Sequence, residues 1–353
     1  MFSLNKGFGY RSIANIRKVF GTLEKAFNSN RLADWRNTGL KTTEIVGWFE
    51  FKKQFRFQPY FDEMQKKGIN FIDFWSKGYP EKLKNIYSPP VVLYWRGDLD
   101  ILDKNYVAVV GTRNHSEYGT RVTKYLVEKM VANGLGIVSG LALGIDAIAH
   151  KSCLDAGGLT MAVLGGGLDR ITPQTNERIG ERIIESGGVI LSEVTVGENP
   201  AKWNFPARNR IVSALSAGVL VTEAPAKSGA LITANFALEQ GKSVMAVPGS
   251  IFNHRIRGCN NLISQGAVLV NDIEDIMLEL GMKERENAGK IEIKYDNNLQ
   301  QEIMEVLDGK TKVIDEIVME LSYDPGKVIA EINLMYLKGW IGEETGGRWY
   351  RKV

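Results

Sequence analysis

The stretch "VAVVGTRNHSEYGTR", residues 107–121, decides the fold class. It begins with an apolar run that ends at Gly111, and a turn leads from there into a helical pattern over residues 117–133. A strand, a turn and a helix start in this order predict an anion-binding site, because the first N–H groups of a helix have no partner inside it. The turn lacks the G-x-G-x-x-G spacing of a dinucleotide site, and no carboxylate ends the next strand, so NAD is disfavoured.

Arg113 lies inside this turn and changes the kind of anion that we expect there. A guanidinium group is planar and holds a phosphate with two hydrogen bonds, which suits an anionic chain. The competing interpretation is an ordinary α/β turn with a surface arginine.

Seven apolar runs alternate with amphipathic stretches between Gly68 and Gly281. This alternation predicts right-handed βαβ units, and therefore an α/β fold with an extended, Rossmann-like, mainly parallel sheet. The runs are "VAVVG", "GIVSG", "MAVLGGG", "VILSE", "GVLVTEA", "SVMAVPG" and "AVLV". Ligands of such sheets bind at the carboxyl ends of the strands. We therefore expect one edge to carry the turns "GTR", "SGLALG", "GGGLDR", "EAPAKSG" and "PGS".

Composition excludes several classes of protein. The 353 residues contain neither an apolar run of membrane-span length nor a secretory signal pattern, so we expect a cytoplasmic protein. Two cysteines, Cys153 and Cys259, exclude a disulfide framework and a cysteine-rich metal site. The histidines, His115, His150 and His254, lack metal-ligand spacing. We expect no metal and no cofactor.

The chain is long enough for two or three domains. We predict a small helical domain of the SAM or helix-hairpin-helix kind over residues 1–67, a Rossmann-like domain over 68–282, a polar linker over 283–297 and a winged-helix-like domain over 298–353. Residues 1–60 carry eleven Lys/Arg against four Asp/Glu, which suits a position beside a polyanion. The last domain carries seven Lys/Arg against ten Asp/Glu, and this acidic excess disfavours phosphate binding.

A second basic stretch is "NPAKWNFPARNRIVSAL", residues 199–215, which contains no acidic residue. Cations follow a nucleic-acid backbone while aromatic faces stack on bases, so this composition is typical of single-strand binding. The residues in question are Lys202, Trp203, Phe205, Arg208, Asn209 and Arg210. The alternative for the two aromatic side chains is packing in the core at a helix start.

Lys227, Ser228 and Gly229 open a helical pattern directly after the run "GVLVTEA". A lysine with two N–H groups at a helix start predicts another phosphate-binding position. The spacing G-x-x-x-x-G-K-[ST] of a Walker A loop occurs nowhere in the chain, so we expect no ATP hydrolysis.

Together these stretches resemble the DprA/Smf family of bacterial DNA-processing proteins. The resemblance runs in order over about residues 78–270, and includes "GIVSGLALGIDAIAHKSCLDAGG", "NFPARNRIVSALS" and "EAPAKSGALITANFALEQGKSVMAVPGS". It implies single-stranded DNA binding, protection of incoming or exposed strands, and loading of the RecA recombinase in DNA uptake, natural transformation and recombination. It also implies a homodimer that pairs near "NNLISQGAVLV", with single-strand-binding protein as a further partner.

The resemblance also implies which residues contact DNA. Its motifs match Gly111, Thr112 and Arg113, then Phe205, Arg208, Asn209 and Arg210, then Lys227, Ser228 and Gly229, and finally Gly258 and Asn260. Cys259 stands where the family has threonine, which removes a hydroxyl. The conclusion for the opening stretch is that Gly111 lets the backbone approach DNA closely and that Arg113 holds a phosphate.

Two alternatives remain. The first is a nucleotide phosphoribohydrolase similar to the cytokinin-activating LOG family, but the turn "APAKSGALIT" lacks that family's catalytic glutamate, and Glu239 comes two helical turns later. The second is a double-strand regulator acting through the terminal winged helix, which its acidic balance disfavours against a packing or protein-interaction role. Gly144, Asp146 and His150 contain no pair of nucleophile and base, so we expect structural roles and no enzyme activity.

Overall fold

The computed structural model describes residues 1–5, 8–198, 201–283, 295–344 and 346–351. The chain divides into two compact units, residues 1–288 and 289–353. Most of the predicted linker, and the first two residues of the second basic stretch, lie outside the described residues.

The first 66 residues contribute helices to the first unit. The α-helices are α1 Tyr10–Phe20, α2 Leu23–Asn28, α3 Thr42–Gln54 and α4 Phe57–Lys66, with 3-10 turns at Phe2–Leu4 and Leu32–Thr38. Their core is aromatic, and Phe2 stacks on Trp48 with ring centroids 4.5 Å apart. Trp75 and Val91, which flank the sheet's edge strands, pack against the same core. The helices are therefore packed onto one edge of the sheet.

A nine-stranded sheet forms the centre of this unit, in the order β1-β2-β6-β5-β4-β3-β7-β8-β9. The strands are β1 Asn70–Asp73, β2 Val92–Gly97, β3 Tyr106–Gly111, β4 Gly136–Ser139, β5 Thr160–Leu164, β6 Val189–Ser192, β7 Gly218–Glu223, β8 Ser243–Ala246 and β9 Val268–Leu269. All seven predicted runs are strands, and β3 to β9 pair in parallel. The α/β, mainly parallel fold is confirmed. The sequence patterns missed β1, a short and partly exposed edge strand, and β2, whose apolar run at residues 91–95 lies outside the alternation of strands and helices.

Helices cover both faces of the sheet. They are α5 Glu81–Lys84, α6 Glu117–Ala132, α7 Ile145–Asp155, α8 Glu177–Glu185, α9 Asn204–Leu215, α10 Ala230–Glu239, α11 Arg257–Ser264 and α12 Ile273–Glu279, with 3-10 turns at Leu99–Asp103 and Gln174–Asn176. Alternate residues of β3 belong to different cores: Ala108 and Val110 to one, Val107 and Val109 to the other. This two-sided burial explains why the strand is apolar throughout. None of the described helices is long and apolar enough to cross a membrane.

The described part of the second unit contains three helices and a hairpin, within the region for which a winged-helix-like domain is predicted. Its elements are α13 Asn298–Val306, β10 Thr311–Val313, α14 Ile314–Glu320, α15 Pro325–Leu337, β11 Ile341–Glu344 and β12 Arg348–Arg351. The strands form an antiparallel sheet in the order β10-β12-β11, and Trp349 lies in the core with residues of all three helices. This order of elements is typical of a winged helix.

Candidate nucleic-acid interface

A cavity of about 370 Å³ opens at the carboxyl edge of the parallel strands. The turn after β3, the turn after β4, the loop after β7 and the first turns of α9 and α10 all line it. It brings together nine of the thirteen residues that the sequence predicts for DNA binding. These are Gly111, Thr112, Arg113, Phe205, Arg208, Asn209, Lys227, Ser228 and Gly229. Three stretches that are far apart in the chain thus meet at one site, as the parallel topology requires.

Arg113 and Lys227 are the exposed cations of this cavity. Neither pairs with a carboxylate among the described residues, and the only acidic residue of the lining, Asp146, is buried. The guanidinium carbon of Arg113 lies 6.0 Å from the centroid of the Phe205 ring, in cation–π geometry. A cation and an aromatic face therefore form one wall, and an anionic ligand would meet little repulsion there.

At the N-terminus of α6, where the opening stretch predicts an anion-binding site, the structure places a carboxylate of the protein itself. The Glu223 carboxylate accepts hydrogen bonds from the Ser116 backbone N–H at 2.9 Å and from the Ser116 hydroxyl at 2.7 Å. A side chain at Gly119 would overlap Glu223, so this glycine makes room for the carboxylate. The protein supplies its own anion at this helix start. Sequence reasoning missed Glu223; the only signal was an acid ending an apolar strand.

The N-terminus of α10 is open, in contrast to that of α6. Ser228 and Gly229 precede the helix, and their N–H groups donate to no other residue in the described part of the chain. The Ser228 hydroxyl accepts from the Ala230 N–H at 3.3 Å, which stabilises the turn. Both residues line the cavity beside Lys227. This geometry has the free N–H groups and the nearby cation that a phosphate-binding position needs.

Arg208 lines the cavity, but its guanidinium group is buried and bonded to other parts of the protein. The sequence instead suggests a direct contact with phosphate. Arg208 Nη1 donates to the carbonyl oxygens of Gly140 and Val163, which end β4 and β5. Its Nε donates to the Asn209 side chain at 3.1 Å. Burial lowers the pKa of Arg208 to about 10, and Asp146 opposes that effect. A side chain at Gly140 would overlap the guanidinium group, which explains that glycine.

Asp146 and His150 are both internal, in agreement with the structural roles expected for them. Asp146 accepts from the backbone N–H groups of Gly140 and Ala142, and so holds the turn after β4. The Thr160 hydroxyl donates to the Ile137 carbonyl, so its oxygen accepts from His150 Nδ1 at 2.7 Å. His150 Nε2 is buried and has no hydrogen-bond partner among the described residues. Burial, with the nearby Arg208 charge, lowers the pKa of His150 to about 3.

Close packing requires glycine at two positions where the turn after β3 meets the start of α7. A side chain at Gly111 would overlap Ile145, the first residue of α7, and would approach the Glu223 carbonyl. Gly144 has φ +80°, and a side chain there would meet the backbone of Thr112 and Arg113. The reason for Gly111 is thus contact with α7, whereas the sequence suggested close approach of a ligand.

Four predicted residues do not line the cavity. Arg210 is buried in an ion pair with Glu193, on a different side of α9. Lys202 is exposed at the approach to α9. Asn260 donates to and accepts from the Gly249 backbone, and the Gly258 N–H donates to the Ala224 carbonyl at 2.7 Å. Gly258 and Asn260 therefore shape the neighbouring loops.

The aromatic residues at the start of α9 differ in their surroundings. Trp203 is 76% exposed, so core packing does not account for it. The Phe205 ring is half-buried against Gly165, where a side chain would overlap it. Phe205 therefore has one packed side and one side facing the cavity and Arg113.

The glutamates near the site are poorly placed for the phosphoribohydrolase alternative, which needs a catalytic glutamate. Glu239 ends α10 and lines a different cavity with Lys242 and Arg210. Both oxygens of Glu223 are engaged by Ser116. Within the described residues, no group of three His, Cys, Asp or Glu side chains is arranged to hold a metal ion.

Fold and site together define an α/β protein with a cationic, aromatic cavity at the carboxyl edge of a parallel sheet. The family model for DNA recombination-mediator protein A matches residues 70–281, which include the whole nine-stranded sheet. The chain therefore belongs to the DNA recombination-mediator protein A family, which confirms the resemblance to DprA/Smf.

Three relatives illustrate this membership. Protein Smf of Synechocystis is 41% identical over 283 residues, covering 78% of this chain and 70% of the relative. The crystal structure of DNA processing protein A from Streptococcus pneumoniae superposes with a TM-score of 0.69 at 36% identity, covering 78% of this chain and 95% of that one. DNA processing protein A of Helicobacter pylori, described for its single-stranded DNA binding mode, gives a TM-score of 0.54 at 32% identity, covering 60% and 95%.

Proposed function

We propose that this protein binds single-stranded DNA across the cavity at the carboxyl edge of the sheet. The observation that carries this proposal is the meeting of two exposed cations, Arg113 and Lys227, with the cavity-facing side of Phe205. The single-stranded DNA binding described for the Helicobacter pylori relative supports it. Cations and a stacking face without a basic helix for reading base edges favour single strands with little sequence preference.

Each group at the site has a distinct role in this proposal. Arg113 holds one phosphate, and Lys227 with the N–H groups of Ser228 and Gly229 holds another. A base stacks on the cavity-facing side of Phe205, over which the Arg113 guanidinium group lies in this structure. Thr112 and Asn209 also line the cavity. Arg208, Arg210, Gly258 and Asn260 act indirectly, by holding the strand ends and loops in place.

The test compares single-stranded and blunt double-stranded oligonucleotides over a salt series. Single strands should bind more tightly at every salt concentration, and affinity should fall with salt because counterions are released. Phe205→Ala should weaken binding by about 1–3 kcal/mol while leaving the salt slope intact, because a stack neutralises no phosphate. Equal affinity for both forms at matched salt would overturn the proposal.

We further propose that the bound strand is protected and passed to the RecA recombinase, in DNA uptake, transformation or recombination. Membership of a recombination-mediator family supports this step. Single-strand-binding protein, which would coat the same DNA, is the partner to be displaced. Purified RecA should assemble faster on coated single strands when this protein is added, and unchanged assembly would contradict the proposal.

A homodimer through the first unit is also proposed, because two linked sites raise the apparent affinity for one strand. The segment "NNLISQGAVLV" contains β9, which lies at the edge of the sheet, where Leu269 is 39% exposed. Leu262 and Val270 of the same segment are buried in the cores and serve packing. Light scattering at micromolar protein should give the dimer mass; a monomer mass would be incompatible with the proposal.

The second unit, residues 289–353, is proposed to act as a protein-interaction module. Its excess of acidic over basic residues opposes binding to phosphates, and the α15 side chains Leu334 and Leu337 are exposed. Deleting this unit should leave the affinity for single strands unchanged.

A further inference from the structure

The loop that follows β8, residues 247–256, presents two apolar side chains to solvent. Phe252 is 93% exposed and its neighbour Ile251 is 84% exposed. Single exposed apolar residues are common on protein surfaces, but two adjacent large ones at a loop tip form a contiguous patch. This patch, Ile251 and Phe252, is called the apolar tip below.

Local hydrogen bonds hold the tip in place. Both polar atoms of the Asn260 side chain bond the Gly249 backbone, at 3.2 and 3.0 Å. Ser250 Oγ accepts from the Phe252 N–H at 3.3 Å, and the Asn253 side chain accepts from the Arg255 N–H at 3.0 Å. The apolar tip is therefore presented by an ordered loop, which lowers the entropy lost when a partner binds.

The loop lies directly beside the candidate DNA site. β8 pairs with β7, whose following loop carries Lys227. At the far end of the loop, the Gly258 N–H donates to the Ala224 carbonyl, and a side chain at Gly258 would overlap Pro225, which lines the cavity. At its near end, the Tyr118 hydroxyl donates to the Pro248 carbonyl at 2.8 Å. Tyr118 belongs to α6, which follows the turn with Arg113.

The charge of this segment indicates what kind of partner the tip meets. No aspartate or glutamate occurs between residues 241 and 271, whereas Arg255 and Arg257 closely follow the tip. Arg257 is exposed and Arg255 is partly exposed, close to the tip in sequence. An aromatic tip followed by two arginines, in a segment without acidic residues, is complementary to an anionic strand with stacking bases.

We propose that Phe252, supported by Ile251, is a second base-stacking position for the strand that crosses the cavity. The inference rests on the proposed single-strand binding and adds to it a contact outside the cavity, one strand further along the sheet than Lys227. The strand's bases would stack at Phe205 and at Phe252, with phosphates held between them by Lys227.

The test measures affinities of the full chain for an oligothymidine and for an abasic strand of the same length. Phe252→Ala should raise the dissociation constant for oligothymidine by about 5- to 150-fold, the loss expected for one stacked base. On the abasic strand, parent and variant should bind alike, and Phe252→Trp should restore the affinity for oligothymidine. The salt slope should not change, because no phosphate contact is removed.

Leu238→Ala is the matched control, because Leu238 is also an exposed apolar residue but lies near the far end of α10, away from the carboxyl edge. It should bind both strands as the parent does. If the parent binds oligothymidine and Phe252→Ala binds it equally well, the second stacking position is wrong while single-strand binding stands. If the parent itself fails to bind, the proposed function is wrong.

Two other outcomes would also overturn the inference. An equal loss on the abasic strand would mean that Phe252 acts without a base. Loss of binding to vesicles of anionic phospholipid in Phe252→Ala, with unchanged affinity for DNA, would assign the apolar tip to a membrane surface.

Discussion

The turn after β3 and the first turns of α9 both carry an arginine of a basic motif, but the two arginines do different work. Arg113 is exposed and lies over Phe205, with no carboxylate partner in the described part of the chain. Arg208 lines the same cavity, yet it is buried and donates to the carbonyl ends of two strands. One is available to a ligand and the other holds the site together. A basic motif therefore identifies a site without saying which cation binds.

The largest effect is expected for Arg208→Ala. The substitution leaves the Gly140 and Val163 carbonyls without their donor and Asp146 without a nearby cation, so the free energy of unfolding should fall by about 3–5 kcal/mol. Urea denaturation followed by circular dichroism measures this. Arg113→Ala, as the control, should unfold within about 0.5 kcal/mol of the parent. If Arg208→Ala is as stable as the parent, Arg208 does not hold the strand ends together, and the contrast with Arg113 is wrong.

Arg113→Ala and Lys227→Ala should each weaken single-strand binding by about 1–3 kcal/mol, the range for a hydrogen bond to a charged group. Each salt slope should become shallower by roughly 0.7, which corresponds to one phosphate on a single strand. Fluorescence anisotropy at several salt concentrations, with thermal melts as the folding control, gives both quantities. An Arg113→Ala variant that binds like the parent would make that arginine a surface residue only.

The pH dependence of stability provides a second test of the buried region, through His150. The unfolded chain binds a proton on this histidine near its ordinary pKa of 6.5, and the folded chain only near 3. Between these values the unfolded state binds more protons, so the free energy of unfolding should fall as pH is lowered below 6.5, by up to about 1.4 kcal/mol per pH unit.

His150→Asn keeps a donor for Thr160 without titrating, and its stability should depend less on pH. Denaturation of both proteins between pH 7 and pH 5 tests this expectation. Parallel curves would mean that His150 is not held neutral by burial.

The smallest effect is expected for Lys202→Ala. This lysine is exposed and outside the cavity, so its loss should change single-strand affinity by about 0.5 kcal/mol or less, as for a screened surface charge. The same anisotropy assay applies. A loss as large as that of Lys227→Ala would extend the phosphate path toward the start of α9.

The sequence by itself determined most of the fold and the place of the site. Seven apolar runs were enough to predict seven strands, because a parallel sheet buried on both faces needs continuous apolar residues. Parallel topology then required the turns after β3, β4 and β7 to share one edge.

Only the tertiary structure decided which charges are free. Ser116 and Glu223 are 107 residues apart in the chain, yet their hydrogen bonds occupy the helix start that the sequence offered to a ligand. Arg208 meets carbonyl oxygens 45 and 68 residues away, whereas Arg113 lies over the face of Phe205. Local sequence determines where strands and turns form, because backbone preferences and apolar periodicity act over a few residues. The partner of a buried charge depends on which distant segments pack against it, and no local pattern records that.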